Sequence, residues 1–171
     1  MTVTDGTSRG RRHVELWLAA GLVAIDQITK AVVRAEFQLH DGVSVVPGFF
    51  DLTRVHNTGA AFGMLNSADF PLKSVILVLV ATAALAGVAL YAAMLPVSQW
   101  LARIGLAFIL GGAAGNLIDR VTLGYVVDFF DFYWRGWHFW AFNVADASIT
   151  VGVALMILDL LGLGHRVSRT V

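Results

Sequence analysis

Two carboxylates, Asp128 and Asp146, and two carboxamides, Asn116 and Asn143, are the residues whose types and spacing point to chemistry. Asn143 and Asp146 stand at i, i+3, as do Asn116 and Asp119, so each pair shares one face of a helix. Two carboxylates brought close together cannot both ionise easily, and they share a proton. One can then act as general base on a water while the other donates to a carbonyl oxygen, which is peptide hydrolysis of the aspartyl type. The same residues have plainer uses. Asn143 as N-cap with Asp146 at N3 is a relative of the capping box, Arg120 suits the negative end of a helix, and a lone carboxylate such as Asp128 in a loop is usually solvated.

Other chemistries find no residues to carry them. The chain has no cysteine, which excludes a disulfide framework, thiol catalysis and a Cys-ligated zinc site. It has no phosphate-binding glycine loop and no His-Glu-x-x-His helix, so the reading requires no cofactor and no metal. Lys+Arg and Asp+Glu balance at 12 each, which argues against a nucleic-acid binder. In a chain of 171 residues, 57% are hydrophobic and 14% charged, and the mean hydropathy is +0.72. That excess of apolar side chains belongs in a bilayer.

The elements that must position the four polar residues are therefore membrane spans. Residues 74–102 carry no charge, and a helix needs roughly 20 apolar residues to cross. This stretch predicts spans over 72–95 and 100–118, joined by a turn at Pro96, which cannot continue a helix. Spans over 14–33 and 142–163 complete a four-helix membrane fold of one domain, residues 1–171. The first is read as uncleaved, because its apolar run passes beyond Asp26 and Lys30.

Outer segments at 34–69 and 119–141 contain runs typical of short strands, Phe49–His56 and Val126–Phe132, which predict a small extracytoplasmic β-sheet over the helix ends. His56 reads as a strand-end residue. Arg9, Arg11, Arg12, Arg103, Arg166 and Arg169 fall on one side, so both termini are expected in the cytoplasm. Trp134, Trp137 and Trp140 stand where an interfacial aromatic belt is expected.

Asp128, Asp146, Asn116 and Asn143 then map to one membrane surface, where water is available. Asp146 lies at the positive end of a helix dipole, which leaves Asp128 as the more frequent holder of a shared proton. Asp26 and Lys30, at i, i+4, read either as a pair muting its own cost of insertion or as part of substrate handling. Ala107, Gly111 and Gly115 form a small-residue stripe for close helix packing. Two other functions compete: a proton-linked carrier, because intramembrane carboxylates also mark ion pathways, and an assembly protein using the small-residue faces. The first calls for polar positions along a whole span, and the second leaves the Asn-x-x-Asp pairs unexplained.

Five motifs, in order, carry a resemblance: Asp26-Gln27-Ile28-Thr29-Lys30, Asn57-Thr58-Gly59-Ala60-Ala61-Phe62-Gly63, the run from Gly111 to Asn116-Leu117-Ile118-Asp119-Arg120, Val127-Asp128-Phe129, and Phe142-Asn143-Val144-Ala145-Asp146. With these the chain resembles the lipoprotein signal peptidases, or signal peptidase II, an aspartic peptidase family of the bacterial inner membrane. The resemblance implies that Asp128 and Asp146 are the catalytic dyad and that Asn116 and Asn143 support it. It implies that Asn57 and Arg120, and less directly Asp26 and Lys30, serve the substrate or the local polar network. Gly59 and Gly63 would let a loop backbone approach the substrate, and the segment from Ala60 to Leu65 would cover the site. The implied substrate is a prolipoprotein, cut just before a diacylglyceryl-modified cysteine at the outer face of the membrane. The implied partners are that substrate and membrane lipid, with no obligate protein partner.

Overall fold

The computed structural model describes residues 5–59, 70–96 and 98–163. The expected cover at Ala60–Leu65, with Gly63, lies outside the described residues, as do Asp69, Arg166, Arg169 and the side chains of Arg9, Arg11 and Arg12. In chain order the elements are α1 (Asp5–Glu36), β1 (Gly42–Val46), β2 (Phe50–Asn57), α2 (Lys73–Met94), α3 (Trp100–Thr122), β3 (Val126–Trp134), β4 (Trp137–His138) and α4 (Val144–Leu160). Three of the helices contain stretches long and apolar enough to cross a membrane: His13–Glu36, Lys73–Met94 and Trp100–Thr122.

α3 is the central helix and packs against α1, α2 and α4. Glycines permit its approach to α4. A Cβ on Gly105 would stand 2.7 Å from the Gly152 carbonyl oxygen, and one on Gly152 would stand 2.5 Å from that of Gly105. Either is closer than van der Waals contact allows, so the two backbones meet where side chains are missing. The expected stripe serves close packing against α1: Gly111 faces Ala19 and Leu22, and Gly115 faces the Asp26 carboxylate. α2 has no buried residue among those described. It ends at Leu95, before Pro96, as the missing proline N–H requires.

Arg103 ties that turn to α1. Its Nη1 donates to the Leu95 carbonyl at 2.8 Å and its Nε to Glu15 Oε1 at 2.7 Å, while Nη2 pairs with Glu15 Oε2. The guanidinium is buried. Removing its partner leaves a buried charge uncompensated, so Glu15→Ala should lower stability by about 3 kcal/mol. Thermal unfolding in detergent measures the loss. Cleavage at a temperature where the variant is folded should be unchanged, because this pair lies in a different region of the bundle from the carboxylates described below.

The sheet is antiparallel with strand order β1-β2-β3-β4. Its two inner strands cover the expected runs, but among the described residues it has four strands rather than two. β1 is exposed along its length, and its only sequence signal is the short Val-rich run Val43–Val46 between Gly42 and Pro47. β3 and β4 are joined through Arg135 and Gly136, both at positive φ, as a two-residue hairpin turn requires. β3 is buried on both faces at its start. Val127 and Phe129 pack against Val33 of α1, whereas Val126 and Asp128 face a cavity.

Candidate active site

Asp128 lies on β3, not in a solvated loop, and is 2% exposed. Pairing of β2 with β3 sets Asn57 opposite Val126, next to it. Asn57 Nδ2 donates to Asp128 Oδ2 at 3.1 Å, and Asn143 Nδ2 donates to Asp128 Oδ1 at 2.6 Å. Asp146 stands in the first turn of α4. Asn143 caps that helix: its Oδ1 accepts the Asp146 N–H at 3.0 Å, and its own N–H donates to Asp146 Oδ2 at 3.3 Å. Asn116 Nδ2 donates to Asp146 Oδ1 at 2.8 Å, and Asn143 Nδ2 also reaches Asn116 Oδ1 at 3.2 Å. The capping role and the cluster therefore coexist in one asparagine.

Both carboxyl groups line one cavity of about 650 Å³, with Asn57 and Arg120 at its polar end. Its remaining walls are apolar, from Ala81 of α2, Ala113 of α3 and Ile149 of α4. Arg120 Nη2 donates to the Gly59 carbonyl at 3.2 Å, and the Gly59 N–H donates to Asn57 Oδ1 at 3.0 Å. Gly59 thus fixes Asn57, which holds Asp128.

Burial, and next the charge of Asp146, push the Asp128 carboxyl up to about 7. An unfolded chain releases this proton near the usual carboxylate value, about 4. Folding therefore takes up a proton between those limits, and the stability associated with protonated Asp128 is lost as pH rises from about 4 to 7. An asparagine at 128 cannot ionise. The stability of the wild type relative to Asp128→Asn should accordingly fall by about 3 kcal/mol between pH 4.5 and pH 8, as thermal unfolding at the two values measures.

Asp26 and Lys30 do more than mute each other. Both are fully buried. Lys30 Nζ reaches Asp26 Oδ2 at 2.8 Å, Asp119 Oδ2 at 3.1 Å and Asn116 Oδ1 at 2.9 Å. Asp119, at the end of α3, has no role among the sequence expectations, yet it is 1% exposed and bonded to three partners: Lys30, Gln27 and the Val127 N–H. Its signals in the sequence are the i, i+3 spacing from Asn116 and its place in the third of the five motifs. His56 of β2 stacks on Tyr125 with ring centroids 3.7 Å apart. Burial, with Arg54 and His40 nearby, holds its pKa below the ordinary imidazole value. Among the described residues no cluster of three His, Asp or Glu side chains is placed to hold a metal ion.

This arrangement of helices and sheet is that of solved bacterial membrane enzymes. One structure, at 2.3 Å resolution, superposes with a TM-score of 0.75 at 32% identity, covering 88% of each chain. Another, at 1.9 Å, gives a TM-score of 0.76 at 28% identity, over 87% of this chain and 93% of that one. A profile of the signal peptidase (SPase) II family matches residues 18–162. The lipoprotein signal peptidase of Symbiobacterium thermophilum is 46% identical over 84% of this chain and 91% of its own length. That of Neisseria gonorrhoeae is 44% identical over 92% and 93%. The chain belongs to the signal peptidase II family.

Proposed function

We propose that this protein removes signal peptides from diacylglyceryl-modified prolipoproteins, as an aspartic endopeptidase cutting just before the lipidated cysteine. The observation that carries the proposal is the pair Asp128, buried, and Asp146, half-buried, linked through Asn116 and Asn143 and facing one cavity that is polar at one end and apolar along its walls. At neutral pH Asp128 holds the proton that the pair shares and gives it to the peptide carbonyl oxygen. Asp146 takes a proton from the attacking water. The tetrahedral intermediate then collapses: the C–N bond breaks, the proton on Asp146 passes to the leaving amine, and one hydroxyl of the diol returns its proton to Asp128, leaving a carboxylic acid product. Asn57, Asn116 and Asn143 orient the two carboxyls, Arg120 and Gly59 hold Asn57, and Asp26 and Lys30 support the cluster from behind.

In this reading four helices cross the cytoplasmic membrane with both termini inside. α4, of 17 residues, completes its crossing with the turn that follows it. The sheet and the exposed Trp134, Trp137 and Trp140 then lie at the outer interface, where such side chains settle. The apolar cavity walls meet the acyl chains, and the polar end meets the peptide.

Purified protein given a diacylglyceryl-modified prolipoprotein should release the signal peptide, with the rate unchanged by chelator. The unlipidated precursor should be cut at least ~100-fold more slowly, because binding energy from the acyl chains is missing. Equal cleavage of both precursors would sink the substrate assignment.

A further inference from the structure

The three hydrogens of the Lys30 ammonium meet three acceptors, Asp26, Asp119 and Asn116, inside a region closed to water. The carboxylates on either side of it each hold a backbone N–H elsewhere in the chain. Asp26 Oδ1 accepts the Ala145 N–H at 3.0 Å, and Asp119 Oδ2 accepts the Val127 N–H at 3.1 Å. Ala145 immediately precedes Asp146, and Val127 immediately precedes Asp128. The two carboxylate-bearing segments, one a helix and one a strand, are thus held from behind by matching acidic arms.

We propose that Lys30 is a positioning residue that gauges the separation of Asp128 and Asp146. Its ammonium draws Asp26 and Asp119 inward, and these fix the backbone just ahead of each of the two. The inference rests on reading Asp128 and Asp146 as the hydrolytic pair. Arm length is then the critical quantity, because a misplacement near 1 Å at reacting groups costs about 100-fold in rate.

Asp119 separates length from charge. One oxygen, Oδ2, accepts both Lys30 and the Val127 N–H, while Oδ1 accepts from Gln27. Asp119→Asn can present its amide oxygen to the first two at unchanged reach. Asp119→Glu keeps the charge and lengthens the arm by one methylene. Steady-state cleavage of a lipidated precursor, with unfolding followed in the same detergent, should show Asp119→Asn within ~5-fold of wild type in kcat. Asp119→Glu should fall by ~50-fold or more with KM unchanged, and Lys30→Met by ~100-fold.

A role limited to neutralising buried charge predicts the reverse ranking at position 119, and that ranking would overturn the proposal. So would equal rates for the two variants, or Lys30→Met within threefold of wild type. Unfolding of Asp119→Glu where Asp119→Asn is folded would also overturn it, because the arm would then hold the fold rather than the spacing. Asp128→Asn and Asp146→Asn run alongside: cleavage by either rejects the hydrolytic pair itself, and with both silent the ranking at 119 decides this inference alone.

Discussion

Asp128→Asn and Asp146→Asn should each lower the rate of prolipoprotein cleavage by ~10⁴-fold or more while leaving the lipidated precursor bound. A neutral amide neither carries the shared proton to the carbonyl oxygen nor takes one from water, so the step that either residue serves is lost rather than slowed. The replacement is isosteric, and the apolar cavity walls that meet the acyl chains are untouched. The two variants should differ in stability. Asp146 also completes the capping box of α4 by accepting the Asn143 N–H. An amide nitrogen turned towards that donor costs about 1 kcal/mol of helix cap; at position 128 the amide nitrogen turns instead towards Asn57 or Asn143, whose Nδ2 groups both donate to the Asp128 carboxyl, and no cap is touched. Single-turnover cleavage, precursor binding and thermal unfolding of the three proteins check each part, and cleavage near the wild-type rate in either variant would exclude the dyad.

The second large effect is expected at Asn143, which is fully buried and touches both carboxyl groups. Asn143→Ala removes the hydrogen bond to Asp128 and the cap on α4 together. Loss of one oriented donor at a reacting group costs ~10²–10³-fold in rate, and loss of a buried cap about 1–2 kcal/mol. Asn143→Asp separates the two. It keeps an oxygen for the Asp146 N–H and retains the cap, but sets a third carboxylate against Asp128 and Asp146. Its rate should fall at least as far as that of the alanine variant, whereas its loss of stability should grow with pH as the added carboxyl ionises. Kinetics and unfolding at pH 5 and pH 8 distinguish the pair.

The helical hairpin and the caps are legible in the sequence because local rules control them. An uncharged run interrupted by Pro96 specifies α2 and α3, and the Asn-x-x-Asp spacing specifies the start of α4. The strand-like runs around Leu52 and Phe129 show as β-branched and aromatic residues. Local rules fail where the partner is remote. Asp128 reads as solvated until β2 and the helix ends close over it. Asp26 and Lys30 look self-sufficient at i, i+4, and nothing within their own turn announces Asp119, 89 positions beyond Lys30. β1 differs again: it is held by its pairing to β2 with both faces open, so its short run of valines between Gly42 and Pro47 marks no buried face.

Gly115 limits how this sequence can drift over generations. A methyl group there would take the space filled by the Asp26 carboxylate. A lineage can acquire a side chain at 115 only after Asp26 has shortened, and Asp26 cannot shorten while Ala145 and Lys30 still bond to it. Substitutions at these positions are therefore order-dependent, and a change harmless in one background is ruinous in another.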